Sequence, residues 1–174
     1  RRWVFNMTVK RIKKYGAEIL REKSKEITDF GKKTRDLFDN LEDTLAKSGG
    51  LGLAAPQIGV GLRAFVAFDK DKRRIFRIAN PEILYTSDEE EIDMEGCLSF
   101  PEIFFSINRP KSVLIRGLTN SGKKIEIKAE NLLARCFLHE TEHLDGILII
   151  DHASSQEKQF WQAHLKQITS SVKK

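Results

Sequence analysis

Apolar positions along the chain fall into segments with different periods. From Lys32 to Lys47, Leu37, Phe38, Leu41 and Leu45 recur at three and four residues, with charges between. That spacing predicts an amphipathic helix of about four turns. Asp29 is its candidate cap, and Gly49-Gly50 stops it. Gly50-Leu-Gly-Leu-Ala-Ala-Pro-Gln-Ile-Gly59 follows, dense in glycine yet apolar at Leu51, Leu53, Ala54, Ala55 and Ile58. It reads as a buried, tightly turned loop. Short strands come next. Leu62 to Phe68 and Arg74 to Ala79 flank the turn Asp69-Lys-Asp71, and Pro81 ends the second strand. Ser112 to Leu118 and Lys124 to Lys128 flank Thr119-Asn-Ser-Gly122, a further hairpin. Ile125 and Ile127 alternate with Lys124, Glu126 and Lys128, so one face of that strand is wet. A second helix is expected from Glu130 or Asn131 to Leu144, ended by Gly146, and a last one from Ser155 to about Ile168. Ile19 to Ser24 is too short to assign. With no repeat and no linker rich in Pro or Gly, the economical reading is a single α+β domain.

Length and composition agree with that reading. A chain of 174 residues, 40% hydrophobic and 32% charged, is a folded domain of ordinary size. No run approaches ~18 apolar residues, so no membrane span is expected. Two cysteines, Cys97 and Cys136, argue against a disulfide scaffold and for a reducing compartment. The net charge of +5 is unevenly spread. Residues 1–14 hold Arg1, Arg2, Lys10, Arg11, Lys13 and Lys14 without an acid, whereas residues 88–95 read Asp-Glu-Glu-Glu-Ile-Asp-Met-Glu. Neither zinc-finger spacing nor an aromatic-studded basic strand pair occurs, so specific nucleic-acid readout is not expected. The first residues lack the apolar core and cleavage site of a secretory signal, and residues 1–6, ahead of Met7, read as a cloning or processing remnant.

The strongest local signal is His139-Glu-Thr-Glu-His143. Residues four apart stack on one helical face, so His139 and His143 can offer two imidazoles to one metal. Glu140 can act on the attacking water without being a ligand. A third protein ligand is then needed. Cys136 shares the helical face, but at a rise of 1.5 Å per residue it lies ~10 Å along the axis from His143. Flanked by Leu133 and Phe137, it reads as a buried core thiol. Cys97, in Glu95-Gly-Cys-Leu-Ser99, is the other thiol, and Asp145 and Glu142 are the carboxylate rivals. His152 and His164 read as surface or capping residues.

Taken together, three segments resemble the peptide deformylases: Gly50-Leu-Gly-Leu-Ala-Ala-Pro-Gln57, Glu95-Gly-Cys-Leu-Ser99, and His139-Glu-Thr-Glu-His143 followed by Leu144-Asp-Gly146. Their order and separations also fit, and the resemblance runs from about Ile12 to the last helix. It implies a small α+β fold with antiparallel sheets packed around a central metal-binding helix. It implies removal of the formyl group from formyl-methionyl peptides of nascent proteins. The implied metal ligands are Cys97, His139 and His143, holding one divalent ion. Ferrous iron is expected, with zinc, nickel or cobalt as substitutes. Glu140 is the implied acid and base. Gln57 and the backbone N–H of Leu98 hold the oxyanion, and the backbone around Gly50 and Gly52 pairs with the extended substrate. Leu133, Phe137, Ile58 and Phe100 are the candidates for an apolar methionine slot. Three positions depart from the family pattern. Leu138 stands where Gln is usual, Glu142 where Asp is usual, and Phe104 where many members carry Arg. In the family the acid at the Glu142 position pairs with an arginine at the position of Arg109.

The resulting organisation is a basic N-terminal segment at residues 1–10, a catalytic domain at 11–168 and a basic tail at 169–174. The resemblance also points to the bacterial cytoplasm, with an organelle as the alternative setting. Lys158, Lys166, Lys173 and Lys174 suit a transient ribosome contact by the C-terminal helix. A zinc endopeptidase and a non-catalytic metal-stabilised binding domain are the alternative functions. Glu140 argues against the second, because a closed structural site needs no base.

Overall fold

The computed structural model describes residues 8–173, so the expectations for Arg1, Arg2, Met7 and Lys174 lie outside the described residues. In chain order come α1 (Lys32–Ser48), β1 (Gly52–Ala54), β2 (Ala64–Asp69), β3 (Arg74–Thr86), β4 (Glu90–Cys97), β5 (Phe100–Pro110), β6 (Ser112–Leu118), β7 (Lys124–Glu130), α2 (Asn131–Leu144), α3 (Ser155–Phe160) and α4 (Gln162–Val172). Short 3₁₀ turns occupy Glu18–Arg21, Ala55–Ile58 and Ile149–Asp151. No helix among the described residues is long and apolar enough to cross a membrane.

The strands form a five-stranded sheet in the order β1-β2-β3-β6-β7 and a separate hairpin of β4 and β5, all antiparallel. Both faces of β2 are covered. Phe65 and Ala67 join a core with Phe137 and Ala134 of α2, while Ala64 and Val66 face Leu37, Phe38 and Leu41 of α1. This is why the apolar run through β2 is continuous rather than alternating. A third core joins Ile103, Phe105 and Ile107 of β5 to Leu148, Ile149 and Leu20. The helix bearing both histidines is thereby enclosed between the sheet and the hairpin.

Several expectations need correction. Gly31, not Asp29, is the N-terminal flanking residue of α1. Asp29 Oδ1 accepts from the Gly31 N–H at 2.9 Å and so shapes the turn ahead of the helix. Gly49 ends α1 in the left-handed region at φ 74°, where its N–H donates to Leu45 O. The glycine-rich loop contains a strand and a 3₁₀ turn, because Gly52 to Ala54 pair with Ala67 to Phe65 at the sheet edge. Pro81 does not end β3. The strand leaves β2 after Ala79 and pairs with β6 through Thr86, and the proline, which has no N–H to donate, sits in the register shift between Ala79 and Glu82. The last helix is two. Ser154 and Glu157 cap each other at the start of α3, and the helix breaks at Trp161.

The β4–β5 hairpin has no counterpart among the elements expected from sequence. Its free edge is closed by side chains from the C-terminal helices. Glu157 Oε1 accepts from the Ser106 N–H at 2.7 Å, and Trp161 Nε1 donates to Phe104 O at 3.0 Å.

Candidate metal centre and cleft

The four-residue spacing on α2 puts His139 and His143 on one face, with their Nε2 atoms 3.2 Å apart. Cys97, the last residue of β4, brings Sγ to 3.3 Å from His143 Nε2. All three donor atoms lie within 4.8 Å of one another. His139 Nδ1 lies 2.6 Å from Glu95 Oε1, so its proton belongs on that side and Nε2 is left as a lone-pair donor. Two imidazole nitrogens and a sulfur converging in this way fit a divalent cation. Among the described residues only these three form such a group, which leaves a position for water or substrate. Both carboxylate rivals are occupied elsewhere. Glu142 pairs with Arg109 and His152, and Asp145 with Arg63.

A buried charge network orients the first histidine. Glu95 accepts from Arg109 at 2.7 and 3.1 Å and from Arg135 at 3.0 Å, in addition to meeting His139. Burial alone would push the Glu95 carboxyl up, but hydrogen bonds from His139 and Arg109 outweigh it and hold the pKa well below the usual carboxylate range. Arg109 in turn reaches Glu142 at 2.8 Å, so the arginine–acid pair implied by the resemblance forms despite the longer side chain. Arg135 also donates to the backbone of Ile107 and Glu91, tying α2 to both strands of the hairpin. Sequence reasoning missed Arg135 and gave Glu95 no role. The signals were present: Arg135 precedes His139 by four residues, and Glu95 precedes Cys97 by two on the same strand.

Glu140 is buried, and its Oε2 has no hydrogen-bond partner. Burial raises its pKa to about 7, with His139 pulling the other way. Such a carboxyl can both take and return a proton near neutral pH. A Cβ on Gly52 would fall onto Glu140 Oε1 and lie 2.8 Å from Cys136 Sγ, so only glycine leaves this carboxylate its room. The Cys136 thiol is pushed well up by burial, with the carboxylates of Glu140 and Glu95 adding to it, which keeps it protonated and out of the ligand set.

Gln57 is held from both ends. Its Oε1 accepts from the Ala54 N–H at 2.9 Å, which fixes the amide so that Nε2 points at Ser99 Oγ, 3.1 Å away, and Cys97 Sγ, 3.5 Å away. Lys14 Nζ donates to Leu98 O at 2.7 Å. Its pKa is lowered, first by burial, while Cys97 raises it and Arg11 lowers it.

These groups line a cleft of about 510 Å³, a size suited to the end of a peptide. Gly50, Gly52, Gln57, Cys97, Leu98, Phe100, His139 and Glu140 are all on its wall. Ile58, Leu133 and Phe137 are not. Ile58 packs with α1, and Phe137 and Leu133 pack against the five-stranded sheet. Apolar character alone does not separate a core residue from a cleft residue. Leu51, Met94 and Leu132 line the cleft instead, with Phe104, 49% exposed, at its mouth. Leu138 packs against the sheet-side core, so the departure there serves packing. His152 lies against Glu142, and His164 stands edge-on to Trp161 at the surface.

The family model described as polypeptide deformylase matches residues 9–159. A peptide deformylase of Halothermothrix orenii is 42% identical over 145 residues, 83% of this chain and 94% of the relative. Among solved structures, a peptide deformylase from Legionella pneumophila superposes with a TM-score of 0.86 at 35% identity, covering 93% of this chain and 96% of that one. The peptide deformylase from Thermus thermophilus gives 0.88 at 31% identity, covering 94% and 99%.

Proposed function

This chain belongs to the polypeptide deformylase family, a metal-dependent enzyme removing the formyl group from formyl-methionyl peptides, and on that premise we propose which residues do the work. Membership sets aside the zinc endopeptidase and the non-catalytic binding domain. The observation that carries the assignment is the convergence of Cys97, His139 and His143 beside the buried Glu140 carboxylate, whose Oε2 has no hydrogen-bond partner.

Cys97, His139 and His143 hold the ion. Ferrous iron is the proposed occupant, with zinc, nickel or cobalt able to replace it, as the mixed thiolate and imidazole set suits these metals. Bound there, a divalent ion supplies the Lewis acidity that polarises the formyl carbonyl and makes water a nucleophile near neutral pH. Glu140 takes a proton from the attacking water as the new C–O bond forms at the formyl carbon. It then gives the proton to the amine nitrogen as the C–N bond breaks. Formate and a free methionine amine leave. Gln57 Nε2 and the Leu98 N–H face the oxygen that gains charge. The backbone at Gly50 and Gly52 aligns the extended peptide, and Phe100 with Leu51 forms the floor for the methionine side chain, supported by their place on the cleft wall.

In the cell, nascent formylated chains are the proposed substrates and the bacterial cytoplasm the proposed setting, supported by the bacterial relatives named above. The exposed Lys158, Lys166 and Lys173 suit a transient ribosome contact, to be checked by cosedimentation at low salt. The central test is formate release from formyl-Met-Ala-Ser by protein purified without oxygen and loaded with ferrous iron. Glu140→Gln, loaded equally, should be slower by a factor on the order of 10²–10⁴. A folded, metal-loaded parent that releases no formate would sink the assignment.

A further inference from the structure

Residues 13–15 run as a strap between the two loops that carry the proposed oxyanion donors. Lys13 N–H donates to Gln57 O at 2.7 Å, and Tyr15 N–H donates to Ser99 O at 2.9 Å. Ser99 Oγ donates to Lys13 O at 2.8 Å and receives Gln57 Nε2 at 3.1 Å. Upstream, Lys10 N–H donates to Thr44 Oγ1 at 2.9 Å, which moors the strap to α1.

Leu98 and Ser99 are the two turn residues between β4 and β5, with Cys97 paired to Phe100 across the turn. The Leu98 and Ser99 carbonyls belong to the Leu98–Ser99 and Ser99–Phe100 peptides, and a donor on each carbonyl fixes its plane. The strap holds both, Ser99 O by backbone and Leu98 O by the Lys14 ammonium, 2.7 Å away. Lys14 also lies on the cleft wall beside Cys97 and Gln57. Sinking part of an ammonium costs solvation, and the Leu98 carbonyl is the acceptor that offsets it.

We propose that Lys14 is a positioning residue of the deformylation reaction: its ammonium pins the Leu98–Ser99 peptide by its carbonyl, the N–H of that peptide faces Cys97 Sγ at 3.4 Å, and with Cys97 held in the ladder this fixes both ends of the preceding peptide and keeps its Leu98 N–H aimed at the developing oxyanion. The inference rests on the reading of Leu98 given above. It separates Lys14 from a purely structural lysine, because the turn can keep its fold while its N–H loses aim.

The test compares the parent, Lys14→Met and Lys14→Arg, each loaded with ferrous iron, on formyl-Met-Ala-Ser. Methionine keeps the aliphatic stem and removes every donor, whereas arginine keeps a donor that reaches the carbonyl. In the methionine variant kcat should fall about tenfold, less than for outright loss of an oxyanion donor. KM should stay within about twofold, since ground-state binding is untouched. Metal content and melting temperature should match the parent, and arginine should restore at least about half of kcat. In ¹⁵N spectra of the proteins loaded with diamagnetic zinc, the Leu98 and Ser99 amide signals should broaden in Lys14→Met and sharpen again in Lys14→Arg. An unchanged kcat in Lys14→Met overturns the proposal. So does a loss that tracks lost metal, a lost cooperative melt, or a failure of arginine to restore turnover. A silent parent sinks the underlying assignment, and the inference with it.

Discussion

The metal-bearing helix is held on its two sides by different kinds of contact. Toward the five-stranded sheet, Ala134, Phe137 and Leu144 pack on Phe65, Phe76, Val113 and Ala129. The Phe137 ring meets Phe76 edge-on, with centroids 5.5 Å apart. Toward the hairpin the contact is ionic, through Glu95, Arg109, Arg135, His139 and Glu142. Apolar burial scales with area and has no preferred direction. Charge-assisted hydrogen bonds are directional, and a buried set of them gives little net stability over an apolar replacement. The sheet side therefore keeps the helix in place, and the hairpin side sets how its first imidazole is turned. Stability and orientation are assigned to opposite faces of one helix.

That division can be broken by experiment. Phe137→Ala should cost ~3–5 kcal/mol of folding stability, read from urea unfolding, while metal affinity of the folded chain changes little. An affinity loss as large as the stability loss would erase the distinction. Glu95→Gln should act the other way on the site. It leaves His139 without its charged orienting partner, and metal affinity measured by chelator competition should fall by a factor of ~10–100, or ~1.4–3 kcal/mol. Unchanged affinity would mean that the ring needs no such partner.

Acid should sharpen the same contrast. The folded pKa of Glu95 is depressed, so its contribution is complete above the unfolded value of ~4.3 and is lost as the pH falls through the lower folded one. The stability gap between the parent and Glu95→Gln should stay flat from about pH 5 upward and close below about pH 4. For Phe137→Ala this carboxyl is intact, so the gap to the parent should not close in that window. The smallest effect should come from Trp161→Phe, which removes one hydrogen bond to β5 at a cost of about 1 kcal/mol, visible as a slightly lower unfolding midpoint.

How much could be read from sequence follows the same line between the two sides. α1, α2 and the β6–β7 hairpin each bury one apolar stripe or face, and the period shows it. β4 inverts the rule. Its buried side chain is Glu95, while Ile92 and Met94 point outward at 68% and 58% exposure. A strand with a charge inside and apolar groups outside carries no strand signal, so the acidic stretch concealed a hairpin. Cys97, His139, Glu140 and His143 were readable because short motifs hold them. Arg135 offered only its four-residue spacing to His139, and that spacing gains meaning once β4 and β5 lie beside α2. Leu133 and Phe137 lie off the cleft wall for a related reason: a helix enclosed on both sides shows several apolar residues, and only packing decides which of them meets the cleft, while Ile58, in the 3₁₀ turn, is taken up by the core against α1.

The closure of β5 by α3 has a consequence for how such a protein can drift over generations. Glu157 and Trp161 grip backbone atoms of residues 104 and 106, not their side chains. Any amino acid but proline at position 106, and any at 104 that keeps an extended backbone, satisfies that grip. The rim of the cleft, where Phe104 stands, can thus be rewritten one residue at a time without asking the C-terminal helices to change in step. Inheritance of the scaffold and variation of the rim are uncoupled by the choice of a main-chain anchor.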